Sequence, residues 1–270
     1  MKFLNIIIQF YNEKNQDRKD ELVIALTQNL NNPCVKSVIN LLEKDNKHIP
    51  EEIAKHPKYC EYELNKWYTY KDVFDFCNKN LKNEYCCIIN LDMMLDQTSK
   101  WNNIKGDLDN GYIYALSRHE FDYLNDKIEL DSNFVRLFHS NTQDGWFFKT
   151  PVQINDCNFE IGLLGCDNAI ADRINKSGYK ILNKAVEYKL LHIDMIKGKS
   201  SANFLDFSKK EQGAKIQNKK PEEKGQYLLP IYELVIGSSL DNFARQFGIT
   251  EEEKYKLICD IMSMKIKIKN

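Results

Sequence analysis

The chain opens on an apolar run at residues 3–10 (FLNIIIQF) and then turns polar. Between 17 and 31, Leu22, Ile24, Leu26 and Leu30 recur among polar residues at close to helical spacing, and 35–42 returns to strand character. Strand, helix and strand in this order predict a right-handed parallel crossover, with ligands beyond the carboxyl ends of the strands. Phe10-Tyr11-Asn12-Glu13 occupies the first such end. Residues 71–81, with Val73, Phe74, Phe76 and Cys77, predict a second helix feeding an apolar strand at 85–91. Shorter pieces at 112–116, 134–138 and 146–148 suit an antiparallel extension of that sheet. A helix over 166–177 carries Ile170 and Ile174 and is stopped by Gly178, and strands are expected at 179–182 and 188–193. From 197 to 226 the chain is polar and lysine-rich. Beyond it, 227–236 is apolar and 250–264 predicts a helix with Glu252 and Glu253 in its first turn. The pattern therefore predicts one α/β domain over 1–195, a mixed sheet flanked by helices, and a polar linker with a helical extension over 196–270.

Length and composition agree with this. With 270 residues, 43% hydrophobic and 29% charged, the chain buries a sizeable core. A net charge of −1 excludes a whole-protein field that pulls in nucleic acid or an anionic membrane. The lysine-rich stretch around 209–224 also holds acidic residues and reads as a solvated loop, so no nucleic-acid partner is expected. The eight cysteines follow no metal-ligand spacing and read as buried thiols of a reducing cytoplasm. No run approaches the roughly 18 apolar residues of a membrane span, so no transmembrane segment is expected.

An α/β start invites a phosphate-binding loop, but the turn after the first strand, QFYNEKNQDRKDE, contains no glycine. Neither a dinucleotide fingerprint nor a Walker loop is present. A diphosphate on this sheet must be neutralised by a metal ion and by cationic side chains. Asn90 and Asp92, two apart after the apolar strand, would project on one face of an extended segment as oxygen ligands for Mg²⁺ or Mn²⁺. On spacing alone, the reading of Asp92 as the opener of a turn is favoured. In QDGWFFK, Gln143, Asp144 and Trp146 combine an amide, a carboxylate and an aromatic ring in a mixture suited to a sugar; a turn followed by a core strand fits the same residues. Asp167 falls in the first turn of a helix, where the dipole favours its anion; it is a candidate proton acceptor or a cap. His192 is either a satisfied strand histidine or a metal ligand. Arg18 and Arg118 are candidates for phosphate oxygens or ordinary surface arginines, and Tyr11 and Tyr70 are candidates for stacking on a base.

Taken in order, the glycine-poor first strand, NLDMML, QDGWFFK, GCDNAIADRINKSGYKILN and a late histidine resemble the GT-A nucleotide-sugar glycosyltransferases. The likeness is to a GT-A-like group found in large DNA viruses and other microbes. It runs from about residue 3 to 193, and its most specific part begins at GCDNAIAD. It implies the GT-A fold over 1–195 and transfer of a sugar, with inversion, from a nucleotide-diphosphate donor, UDP favoured, to a glycan or glycoprotein acceptor. It places Asp92 at the family's metal-binding acidic motif, with Asn90 where many members carry an aspartate and His192 as a late metal ligand. Asp167 aligns with the general base, Gln143, Asp144 and Trp146 with sugar contacts, and Tyr11, Arg18 and Glu43 with nucleotide contacts. Because Asn90 is neutral, an inactive carbohydrate-binding or scaffold protein on the same fold is the competing expectation. A nucleotidyltransferase is disfavoured by the missing glycine-rich basic loop.

Overall fold

The computed structural model describes residues 2–43, 49–128, 143–163, 165–185, 187–193 and 195. The strand expected at 134–138 and everything expected of 196–270 lie outside these residues. The chain alternates as predicted at its start: β1 (Leu4–Ile8), α1 (Gln16–Asn31), β2 (Val35–Leu42), α2 (Glu51–Ala54), β3 (Tyr59–Glu63), α3 (Tyr70–Asn80) and β4 (Tyr85–Ile89). There follow β5 (Met93–Leu95), a 3₁₀ turn at Trp101–Asn103, α4 (Ile104–Asp109), β6 (Tyr112–Leu116), β7 (Arg118–Asp122) and β8 (Lys127–Ile128). The described chain ends with β9 (Gly145–Lys149), α5 (Cys166–Lys176), β10 (Lys180–Leu182) and β11 (Leu190–Ile193).

Seven strands form the main sheet in the order β10-β6-β9-β4-β1-β2-β3. β4, β1, β2 and β3 are mutually parallel, as the strand–helix–strand rhythm predicts. The antiparallel extension is narrower than expected, because only β9 reverses; β10 is parallel to β6, and both β4 and β6 pair antiparallel with β9. A second sheet, β5-β11-β7-β8, stands beside it. β3, β5, β7 and β8 were not predicted, since they are short or carry charges on alternate positions.

β1 is buried along its whole length, and its residues divide by the strand period of two. Leu4, Ile6 and Ile8 join Leu22, Leu26 and Leu30 of α1 in one core, while Ile7 joins Val73 and Phe74 of α3 and Ile170 and Ile174 of α5 in another. Both faces are thus covered by helices, the setting in which strands read as continuous apolar runs. The carboxyl edge is pinned by amides. Gln9 gives its side chain to the carbonyls of Leu41 (2.8 Å) and Lys66 (2.9 Å) and accepts from the Tyr68 amide (2.9 Å). Asn29 of α1 pairs with the Met93 carbonyl (2.8 Å) and the Leu95 amide (2.9 Å), which docks β5 on the helix. Among the described residues no helix is long and apolar enough to cross a membrane.

Candidate active site

The two sheets meet where β4 ends. Asn90 to Met93 is a tight turn closed by the Met93 amide on the Asn90 carbonyl (3.1 Å), so Asn90 and Asp92 do not share one face of an extended segment. The expectation of paired ligands there is corrected by the turn. Asn90 donates instead to Asp144 Oδ1 (3.3 Å), while Asp92 meets Arg18 and His192. Its backbone carbonyl accepts from Ile193 (3.1 Å), which fixes β11 against the turn.

Arg18 stands in the first turn of α1, whose N-cap Asn15 accepts from its amide (3.1 Å). Its guanidinium joins Asp92 and, one helical turn on, the fully buried Glu21 (2.7 Å). In the parallel register of β7 and β11, His192 lies opposite Glu120. His192 Nδ1 pairs with Glu120 Oε2, and Nε2 lies 3.3 Å from Asp92 Oδ2. Glu120 also accepts from Arg118 Nε (2.8 Å), and Arg118 reaches Asp144 Oδ1 (3.1 Å). Glu21, Arg18, Asp92, His192, Glu120, Arg118, Asp144 and Asn90 therefore form one continuous polar chain across both sheets. Arg18 and Arg118 are engaged by carboxylates rather than standing as ordinary surface arginines.

The charges follow from this wiring. Burial works against ionised Asp92, but His192 and Arg18 overcome it and hold the carboxyl well below the usual range. Burial likewise opposes Glu120, yet His192 and Arg118 bring it to about 2. His192 loses solvation too, and its two carboxylate partners raise it to about 9, so the imidazole is a cation at neutral pH. Asp144 is raised by burial and by Asp92 against the pull of Arg118 and His192.

Asp167 is the second residue of α5, after the left-handed Gly165 (φ 88°) at the N-cap, so it is not itself the cap. Its carboxylate accepts from the Tyr70 hydroxyl (3.3 Å) and lies 3.7 Å from Cys166 Sγ. The dipole was expected to favour the anion. Burial outweighs it, and with Asp144 nearby the pKa rises to about 7.

Three other expectations are corrected. Tyr70 is 1% exposed and packed between Phe74 and Phe159, so it cannot stack on a base; it holds Asp167 instead. Trp146 is 2% exposed in the core of the main sheet, because a fully covered strand buries both of its faces; it is no sugar contact. Gln143, 0% exposed beside Asp144 before the head of β9, is no sugar contact by the same measure. Tyr11 is half-buried at the end of β1 against Trp67 (ring centroids 6.1 Å), and Glu43 is half-buried at the end of β2. Glu21, Trp67 and Glu120 were missed by sequence reasoning. Only Glu21 carried a local signal, its spacing of three from Arg18 on a predicted helix.

The donors present suit a divalent cation. Asp92 Oδ1 is buried without a hydrogen-bond partner among the described residues, and an imidazole nitrogen is beside the same carboxylate. Among the described residues no three His, Cys, Asp or Glu side chains converge on one metal position, so substrate oxygens and water would complete the coordination.

No family model and no curated protein matches the chain. Solved structures do. Residues 1–349 of S. aureus TarS, in complex with UDP-GlcNAc, superpose with a TM-score of 0.50 at 10% identity, covering 99% of this chain and 77% of that one. The fold is that of the GT-A nucleotide-sugar transferases. A 4-diphosphocytidyl-2C-methyl-D-erythritol synthase from Anaerococcus prevotii matches over 67% of this chain and 87% of its own, at 12% identity and a TM-score of 0.39. At 10% identity the likeness to TarS concerns the fold alone and not a shared substrate.

Proposed function

We propose that the chain is an inverting glycosyltransferase of the GT-A-like microbial and viral group, taking a sugar from a nucleotide-diphosphate donor, UDP favoured, to a hydroxyl of a glycan or glycoprotein. One observation carries the reading. A carboxylate poised near neutrality, Asp167, is electrostatically coupled to Asp144 and Arg118, and these belong to the charged chain that runs through Asp92. A proton acceptor and a set of diphosphate-sized charges thus share one sheet edge, the edge where ligands of open α/β sheets bind.

In this reading Asp167 takes the proton of the acceptor hydroxyl. The freed oxygen attacks the anomeric carbon, whose bond to the diphosphate oxygen breaks with its electron pair, and one displacement inverts the configuration. Arg118 is the side-chain cation for the departing charge. Asp144 orients sugar hydroxyls, and Tyr11, with Trp67 beside it, takes the base next to Arg18 and Glu43. The chain sets three cations, Arg18, Arg118 and His192, against four carboxylates, Glu21, Asp92, Glu120 and Asp144. Its carboxylates outnumber its cations, so Arg118 alone leaves a diphosphate under-neutralised. Mn²⁺ or Mg²⁺ held by Asp92 and by His192, whose Nε2 proton the cation would displace, would supply the remainder, the imidazole favouring Mn²⁺. A cytoplasmic location is supported by the free state of every described cysteine.

The test is nucleoside diphosphate release from a panel of nucleotide sugars, with Mn²⁺ or with chelator. Slow donor hydrolysis is expected for at least one donor. No release from any donor in either condition would leave a binding protein on this fold. Tyr70→Phe gives a finer check. The Tyr70 hydroxyl favours the Asp167 anion, so its loss should move the acid limb of kcat/KM to higher pH, by about one unit or less. An unmoved limb, measured beside the parent, would detach Tyr70 from the base.

A further inference from the structure

We propose that Glu120 is a positioning residue for the cation site: it fixes the His192 ring so that Nε2 is presented to Asp92, and through Arg118 it ties that position to Asp144. The inference rests on the reading that Asp92 and His192 hold a divalent cation. The parallel register of β7 and β11 sets Glu120 directly beside His192. Its Oε2 takes Nδ1, which leaves Nε2 as the ring atom 3.3 Å from Asp92. Its Oε1 takes Arg118 Nε at 2.8 Å, and the same guanidinium reaches Asp144 Oδ1 at 3.1 Å. Asn90 closes the far end on that Asp144 oxygen at 3.3 Å.

A buried carboxylate costs solvation that a hydrophobic pair in its place would not. The Glu120 side chain is 11% exposed, on a strand whose neighbour Phe121 packs into a small apolar cluster. A purely mechanical link between β7 and β11 already exists in their backbone pairing. What the carboxylate adds is orientation of the imidazole about its ring axis, the role that an outer carboxylate plays behind a metal-bound histidine. Because each Glu120 oxygen serves a different partner, a change at the cation is transmitted to Arg118 and hence to Asp144, at the sugar end of the reading above.

The experiment is calorimetric titration of Mn²⁺ into the full chain with saturating UDP, for the parent, Glu120→Ala and Glu120→Gln. UDP binding with chelator and thermal melting without metal are measured beside it. Glu120→Ala should weaken Mn²⁺ roughly 10- to 100-fold, the scale of lost outer partners, with UDP affinity in chelator unchanged. Glu120→Gln, which keeps an acceptor for Nδ1, should lose less, and it carries the test if the alanine variant does not fold. If the parent binds Mn²⁺ and both variants bind it equally well, Glu120 positions nothing and the inference falls alone. If both variants lose UDP in chelator as much as they lose Mn²⁺, the role is structural and the inference also falls. A parent that binds no Mn²⁺ with UDP present overturns the cation reading and this inference with it.

Discussion

Asp167→Asn is expected to lower the single-turnover rate of sugar transfer by roughly 10²- to 10⁴-fold, the scale of general base catalysis, while donor affinity stays near that of the parent. The asparagine keeps the shape of the side chain and an oxygen for the Tyr70 hydroxyl, but it cannot take a proton. Stability should not suffer. Burial has already raised the Asp167 pKa to about 7, so the folded state gains nothing from its charge at neutral pH. The sign of the pH dependence follows. Only the ionised form accepts a proton, so parent kcat/KM should fall as pH drops through about 7 and level off above it. In the variant that limb should vanish along with the rate. Transfer at the parent rate, or an acid limb that survives the substitution, would remove Asp167 from the chemistry.

What could be read from the sequence divides along a physical line. β6 is covered on both faces, so an unbroken apolar run announced it with the bounds the structure shows, and β2 was announced with its bounds by the apolar residues around Lys36, Ser37 and Asn40. The helix over α5 was announced by Ile170, Ile174 and the stop at Gly178, whose φ is 88°. β7 was invisible. Its sequence, Arg118-His119-Glu120-Phe121-Asp122, spends three positions on charges because two of them build the site, so local pattern and tertiary role conflict. Asp92 was legible as a lone carboxylate after a buried strand. Its partners were not, since nothing within a few residues links 92 to 18 or 120 to 192; only the crossing of β5, β7 and β11 does. Trp146 misled for the opposite reason. Beside Asp144 and Gly145 it looked like a loop aromatic, yet residue 145 already pairs with Ile89 and Leu116 in the sheet.

Asp92→Ala is the second large effect, and it acts on stability and on cation binding together. The substitution removes the carboxylate that Arg18 and His192 share, leaving two cations whose side chains are 11% and 10% exposed. Breaking a buried ion pair from one side costs about 3–5 kcal/mol, because the remaining charge is desolvated without compensation. Arg18 keeps Glu21 and His192 keeps Glu120, so a loss near the lower bound, about 3 kcal/mol, is expected in urea denaturation at neutral pH. Asp92→Asn retains an acceptor oxygen but no charge, and it should fall between the two. Cation binding separates structure from function. Mn²⁺ should strengthen UDP binding to the parent and leave both variants unchanged, since neither keeps a carboxylate at the end of β4. A stable Asp92→Ala protein with the parent response to Mn²⁺ would mean that the charged chain serves packing and that the diphosphate is neutralised elsewhere. Loss of stability with the Mn²⁺ response intact would place the cation away from Asp92 while keeping the ion pair as the joint between the sheets.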